Sequence, residues 1–551
     1  MKSKLIVDWN PTLWASAVFV STFCFHTFAF PPYDIAELAY LLPVPILLWL
    51  FYKPPSSRIF LAAAGGAFWL SWLVLIFWLR HVTWLGWFGL ASVLSLFPAG
   101  WALLVFWWVP RFKNRGFSVR LLGILSVCSG WVILECVRTF FLTGFPWLPL
   151  AASQWKRPVM LQVSSLTGFY GVSFVLLLVG VTIAFYIRHL LQGRKRGWQR
   201  FCPEFLLGIA VWLFVTFGIF EFNFVPGQRV PLFDVALVQP YIPQTVKWDA
   251  SQSPRIMSQI ENLVIFQKHI GADIAVLPEA AMPYPLIGDD SMRDWVEKLA
   301  RDFGGPLLMG ALAAEGPTLL DDPWFNGFML VYPEDGLDPD YYQKRQRVPF
   351  GEFIPFRQAL FFLEKFVPIG GDIAPGKSAA PLRLRMPGGE VLIGALICYE
   401  DIFPSLAADS AREGAQVLFV ITNDAWYGEE GAPYQHAAHS VLRAVETRRP
   451  IVRVGNGGWS GWIDENGNIR DVLISNEGSI YFRGSEVVEV SYNPQILREQ
   501  TFFVRYGNWF VWVCAAVVAL FLLVLRRAPP GREEEAEWER VGRMKINIPK
   551  R

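Results

Sequence analysis

Seven long apolar runs follow one another in the first 225 residues of this chain, near 12–30, 36–52, 59–79, 84–108, 119–141, 168–188 and 205–224. An eighth stands near 506–525. A helix that crosses a bilayer needs about 20 mostly apolar residues. Buried core helices of a soluble domain could account for one or two such runs, but not for seven in a row separated by short basic loops. The pattern predicts a polytopic α-helical membrane bundle of about eight spans. Charge agrees: only six of the 47 acidic side chains (Asp8, Asp34, Glu37, Glu135, Glu204 and Glu221) lie in residues 1–230. The remainder of the chain has ordinary globular composition, so two different objects are joined end to end.

The whole-chain figures exclude other classes. Charged residues make up 17%, against about 25% in a typical soluble chain. A chain that is 53% hydrophobic buries too much surface to stay disordered. Six Cys in 551 residues cannot staple a disulfide scaffold. A net charge of +2 gives no nucleic-acid footprint.

Short loops rich in Lys and Arg stay on the cytoplasmic side. Lys2 and Lys4 precede the first run, and Lys53 and Arg58 lie between the second and third. Arg111, Lys113, Arg115 and Arg120 lie between the fourth and fifth, and Arg188, Arg194, Lys195, Arg196 and Arg200 between the sixth and seventh. The alternate loops carry few, namely Arg80, Lys156 and Arg157. Both termini are therefore expected in the cytoplasm. The expected divisions are a seven-span bundle over 1–225, an outer domain over 226–500, a transmembrane helix over 501–527 and a charged tail over 528–551. The first run is taken as an uncleaved anchor, since no small-residue cleavage site follows it. Glu135 and Arg138, three apart on one face of the fifth span, are expected to form an ion pair or to meet a lipid headgroup.

The outer region alternates two periodicities. VALVQP (235–240), IAVLPE (274–279), PLLMGAL (306–312), FNGFMLVYP (325–333), VLIGALIC (391–398), QVLFVITND (416–424) and IVRVGN (451–456) read as strands. Residues 254–270, 290–303 and 433–448 read as helices. Such alternation predicts an α/β domain.

Cys398 is the one cysteine in that region, so it has no partner there for a disulfide. A buried inert thiol is one reading. The other is a nucleophile, because Cys398 ends a strand, where α/β sheets place their chemistry. A nucleophilic thiol needs a base and a positive neighbour. His269, His436 and His439 sit in no strand-end motif. Glu279, just after an apolar strand, and Lys344 and Glu352, around a Pro/Gly turn, do.

Glu279 in LPE, Lys344 upstream of VPFGE and Cys398 in ICYED resemble the Glu–Lys–Cys pattern of the nitrilase, or carbon–nitrogen hydrolase, superfamily. With flanking spans, the arrangement looks like that of the bacterial apolipoprotein N-acyltransferases. The likeness runs over nearly the whole chain, through GFPW (144–147), VQPYIPQTVKWD (238–249), VPFGEFIP (348–355), CYEDIFP (398–404), NDAWYG (423–428) and RAVETRRP (443–450). Each motif alone is weak; their order and spacing are specific.

That resemblance implies an α-β-β-α sandwich outside the inner membrane. It implies transfer of an acyl chain from a phospholipid to the N-terminal amine of a diacylglyceryl-lipoprotein. Cys398 would be the nucleophile, Glu279 the general base and Lys344 the oxyanion-stabilising cation. Glu352, Tyr399 and Glu400 would line the site, and Trp248 would contact substrate. Trp459 and Ser460 depart from the pattern, which could alter acyl or acceptor fit. The implied partners are a phospholipid donor, a diacylglyceryl-apolipoprotein acceptor and the bilayer, with no nucleic acid, and the enzyme is expected to be a monomer.

The chemistry is coherent on its own. A thiolate attacks the phospholipid ester, lysophospholipid leaves, and an amine then attacks the thioester. Water must be kept from that thioester, and the Phe- and Leu-rich segment 356–371 is a candidate lid, with Gly370 and Gly371 as its hinge. His436 and His439 lack the carboxylate or Cys cluster of a zinc site, so no metal and no cofactor is expected. Two other readings are a membrane-anchored amidase acting on a small C–N substrate, for which one anchor would suffice, and a transporter or sensor with a silent outer domain, against which an intact Glu279–Lys344–Cys398 set argues.

Overall fold

The computed structural model describes residues 10–192, 201–219, 228–247, 249–315, 323–360, 372–497 and 499–527. The bundle is built from α1 (Pro11–Phe28), α2 (Pro43–Tyr52), α3 (Ser57–Leu75), α4 (Trp84–Phe112), α5 (Phe117–Phe140), α6 (Phe169–Leu191) and α7 (Pro203–Leu213). The C-terminal helix Trp509–Arg527 packs on α5. All eight apolar runs are thus helical. Five of these regions are long and apolar enough to cross a membrane: α3, α4, α5, α6 and the C-terminal Pro494–Arg527. Leu38–Tyr52 and Pro203–Gly218 are apolar but shorter. Large apolar side chains on these helices, such as Leu85, Leu96 and Phe214, are exposed, as expected where hydrocarbon rather than water is the solvent.

The following domain has two sheets. The first runs β13-β1-β2-β3-β4-β5, with β6 added to β4; its strands are β1 (Val230–Gln239), β2 (Ile274–Val276), β3 (Leu307–Ala314), β4 (Trp324–Tyr332), β5 (Gly336–Leu337), β6 (Tyr342–Gln343) and β13 (Gly484–Tyr492). The second runs β12-β11-β10-β9-β8-β7, from β7 (Leu382–Met386), β8 (Gly389–Ile397), β9 (Val417–Thr422), β10 (Ile451–Gly455), β11 (Gly461–Ile463) and β12 (Ile469–Val472). In each sheet the central three strands are parallel, β1-β2-β3 and β8-β9-β10. Parallel strands are buried on both faces, which is why these segments read as unbroken apolar runs.

The facing sides of the two sheets share one core, including Val235, Leu237, Leu330, Ile397, Phe419 and Ile421. Helices α8 (Ser253–Ile270) and α9 (Asp290–Phe303) cover the outside of the first sheet. Helices α10 (Pro404–Arg412) and α11 (Ala432–Thr447) cover the second. The order of layers is the α-β-β-α expected from the resemblance.

The fourth layer is unusual. Every residue of α11 but the half-buried Tyr434 is buried, although Gln435, His436, His439, Ser440, Arg443 and Glu446 are polar. One face of α11 meets the second sheet and another meets the bundle, and a single apolar cluster runs from α1 to Val441 and Val445. The polar groups are paired across that junction. Trp78 and Trp147 donate to Gln435 Oε1 at 3.0 and 2.8 Å. The amide of Phe169, at the start of α6, donates to Glu446 Oε1 at 2.8 Å.

Inside the bundle, Glu135 and Arg138 do not form the expected ion pair with each other. Glu135 Oε1 accepts from the Leu150 amide at 2.7 Å, and the Arg138 guanidinium lies over the Trp72 ring at 5.4 Å. Of the candidate lid, residues 361–371 lie outside the described residues, as do Trp248 and the tail 528–551.

Candidate active site

Strand ends of both sheets converge where the sandwich opens. β2 stops at Val276, and Glu279 follows in a loop held by Leu277 N to Leu308 O (2.8 Å) and Ala281 N to Gly310 O (3.0 Å). β6 delivers Lys344, whose amide donates to Asn326 O on β4 at 2.9 Å. β8 ends at Ile397, and Cys398 opens the turn that follows, with φ +52°. Non-glycine residues rarely take that left-handed conformation; here it turns the thiol out of the sheet edge.

Lys344 is the hub. Its Nζ donates to Glu279 Oε1 at 3.0 Å and to Glu352 Oε1 at 2.9 Å. Asn326 Nδ2 donates to the same two oxygens at 2.8 and 3.1 Å. Glu352 is fixed by the Val348 amide on its other oxygen at 2.8 Å. Lys247 Nζ reaches the main-chain carbonyl of Glu279 at 3.3 Å. Lys344 is 1% exposed and Glu279 7%, so these charges act in a low dielectric where pairing is strong.

The protonation states follow. Burial alone would raise the Glu279 carboxyl, but Lys344, Asn326 and Lys247 together hold it below its usual range. Burial would likewise discharge Lys344, yet Glu279, Glu352 and Cys398 keep its ammonium well above the ordinary lysine value. Burial pushes the Cys398 thiol far up, with Glu279 and Asp424 adding to the rise and Lys344 opposing it. The resting arrangement is a protonated thiol beside a carboxylate and an ammonium. Such a set can pass the thiol proton to Glu279 and meet a developing oxyanion with Lys344. Burial lowers Lys247 to about 8.

Glu279, Lys344 and Glu352 are hydrogen-bonded to one another, and Cys398 feels the charges of Glu279 and Lys344. The structure gives Glu400 a scaffold function: its carboxylate accepts from Tyr342 Oη at 3.0 and 2.9 Å, and from the amides of Arg345 (2.6 Å), Gln346 (3.0 Å) and Ile397 (2.8 Å). Glu400 thereby ties the Lys344 loop to the strand that carries Cys398. Tyr399 points toward the bundle and donates to Gly144 O at 2.6 Å. Trp459 is buried, and Ser460 joins the sheets by donating to Gln239 Oε1 at 2.7 Å and accepting from Gly455 N at 3.0 Å.

Sequence reasoning missed three residues. Asn326 was legible only as a polar residue inside an apolar strand. Lys247 directly precedes Trp248 in the chain. His436 stands in no strand-end motif, yet it touches the Cys398 turn: its Nε2 lies 3.2 Å from the Cys398 carbonyl oxygen. Beside the site, an apolar cavity of about 540 Å³ is lined by Leu73, Leu75, Phe77, Trp78, Trp87 and Gln435. Trp78 reaches Tyr427 at 4.5 Å between ring centroids.

Two facing sheets with Glu, Lys and Cys at their strand ends define a carbon–nitrogen hydrolase domain, and the carbon–nitrogen hydrolase family model matches residues 234–485. The model of the apolipoprotein N-acyltransferase N-terminal domain matches residues 24–182. The apolipoprotein N-acyltransferase of Geobacter metallireducens is 32% identical, over 89% of this chain and 91% of its own. That of Brucella melitensis is 30% identical, over 95% of this chain and 98% of its own. The chain belongs to the apolipoprotein N-acyltransferase family. Among solved structures, an amidase from Nesterenkonia sp. is 20% identical, covering 52% of this chain and 99% of that one at a TM-score of 0.37.

Proposed function

We propose that the chain transfers an acyl chain from a phospholipid to the N-terminal α-amine of diacylglyceryl-cysteine on an apolipoprotein, in two half-reactions through a thioester on Cys398. The observation that carries this is the Lys344 ammonium held between Glu279 and Glu352 beside the protonated Cys398 thiol. Glu279 takes the thiol proton as sulfur attacks the ester carbonyl. Lys344 meets the oxyanion, and the tetrahedral species collapses as Glu279 gives that proton to the departing lysophospholipid oxygen, which returns Glu279 to the carboxylate. Glu279 then accepts the proton of the incoming amine as the thioester is exchanged for an amide. Glu352 positions Lys344, Glu400 holds the Lys344 loop on β8, and Trp248 contacts substrate.

The apolar cavity under Trp78 and the bundle packed on α11 support a lipid donor, since hydrolysis of a small C–N substrate needs neither. Residues 1–225 form the bundle, 226–500 the catalytic domain on the periplasmic side, and 501–527 a last crossing, with both termini cytoplasmic. The enzyme acts as a monomer in the bacterial inner membrane.

The test is acyl-enzyme trapping. Detergent-solubilised protein is mixed with phospholipid carrying a labelled acyl chain and no acceptor. Label released by neutral hydroxylamine and absent from Cys398→Ala is the expected result. A folded wild type that takes no label overturns the phospholipid reading.

A further inference from the structure

His436 lies beneath the Cys398 turn and outside the Lys344 cluster, and both of its ring nitrogens face oxygen. Nδ1 is 3.0 Å from Asp424 Oδ1. Nε2 is 3.2 Å from the main-chain carbonyl oxygen of Cys398 and 2.8 Å from Asp401 Oδ1. A carbonyl and an ionised carboxylate can only accept, so each nitrogen carries a proton and the ring is an imidazolium.

The groups that face the ring agree. Arg453 of β10 contacts Asp401 Oδ2 at 2.8 Å and Asp424 Oδ2 at 3.3 Å, which keeps both carboxylates ionised. Ser440 donates to Asp401 Oδ2 at 2.6 Å. His439, one turn along α11, accepts from the Leu148 amide at 3.3 Å and is held neutral by burial. Trp147 from the bundle covers the ring at 5.4 Å. Burial and Arg453 oppose the charge on His436, but Asp401 and Asp424 outweigh them and raise it to about 9.

Cys398 needs such a support. Its left-handed backbone, φ +52°, is strained for a residue with a side chain, and such strain persists where the surroundings over-determine it. We propose that His436 is a positioning residue: its imidazolium grips the Cys398 carbonyl and, anchored by Asp424 and Asp401, holds the turn that presents the thiol to Glu279 and Lys344.

This rests on Cys398 being the acylated thiol, so the experiment carries its own control. The full chain in detergent is labelled with acyl-labelled phospholipid in single turnover, and rate is followed against lipid concentration and pH. Label that persists in Cys398→Ala sinks the thioester reading itself. With that control clean, His436→Ala lowers the maximal labelling rate about 10²-fold, the scale of an ångström of misplacement, with the half-saturating lipid concentration unchanged. His436→Gln, which keeps one N–H for the carbonyl, recovers part of the loss. Should His436→Ala fail to fold, Asp424→Asn serves. It removes an opposite charge worth about one pH unit or more, so its labelling rate falls at a lower pH than the wild type, which falls near 9. A folded His436→Ala with the wild-type maximal rate, or an Asp424→Asn whose alkaline fall coincides with that of the wild type, overturns the proposal.

Discussion

The Tyr399 hydroxyl donates to the main-chain carbonyl of Gly144 at 2.6 Å. The residue after the candidate nucleophile is therefore bonded to the GFPW loop of the bundle, and Phe145 of that loop lies 6.0 Å from the Tyr399 ring. Removing the hydroxyl leaves a buried carbonyl without this donor, at about 1–3 kcal/mol. Tyr399→Phe is expected to melt several degrees lower in detergent and to acylate more slowly, while still taking label on Cys398. Thermal melting and single-turnover labelling check both parts.

Glu279 and Lys344 act on the thiol with opposite signs. Glu279 raises the Cys398 pKa and Lys344 lowers it. Glu279→Gln is therefore expected to let the thiol ionise at lower pH than in the wild type, although turnover is lost with the base. Lys344→Met is expected to shift ionisation upward and to cost about 10²–10³ in acylation rate. Thiolate absorbance or alkylation rate against pH, read beside turnover, checks the pair. A shift in the same direction for both variants would break the charge assignment.

Asn326 is the shared donor on Glu279 and Glu352. Asn326→Ala is expected to lower kcat about tenfold, the equivalent of roughly 1.4 kcal/mol for lost charged hydrogen bonds, with KM for phospholipid unchanged. A rise in KM at constant kcat would instead make Asn326 a lipid contact.

The His436 network also sets a pH window for stability. A pKa raised to about 9, from roughly 6.5 unfolded, gives a contribution fully present below about pH 6.5 and lost as pH rises through 9. Asp424 has a lowered pKa, so its contribution is present above roughly 4 and lost in stronger acid. The difference in melting temperature between wild type and His436→Gln is expected to be greatest between those limits and to shrink as pH passes 9. A difference that stays constant from pH 6 to 10 would show that the ring is not charged.

Much of this was legible in the chain. Glu279 and Cys398 each stand just past an apolar strand, where a charged or nucleophilic residue has no packing reason to be, and Lys344 and Glu352 flank a Pro/Gly turn. The central parallel strands are continuous apolar runs, and both ends of α9 matched because Asp289 caps it at Met292 N and Gly304 closes it in the left-handed conformation. The edge strands β7, β12 and β13, and β11 beside β12, were not legible. β7 and β12 expose alternate or successive polar residues, and β11 has only three residues. The polar side of α11 was illegible for a different reason. Nothing near His436, Arg443 and Glu446 in sequence marks them as interior; Trp147 and Phe169, far away in the chain, enclose them.

That burial of α11 on all sides has a consequence for how such a protein can be handled and how it could have diversified. The outermost layer of the sandwich is at the same time the landing surface for the bundle, so no clean cut separates the two. A fragment beginning near residue 228 would offer water a helix whose histidines, arginine and glutamate have lost the tryptophans and amides that answer them. Turning this catalytic half into a secreted enzyme would require a new outer face for α11, rewritten residue by residue, rather than the deletion of an anchor.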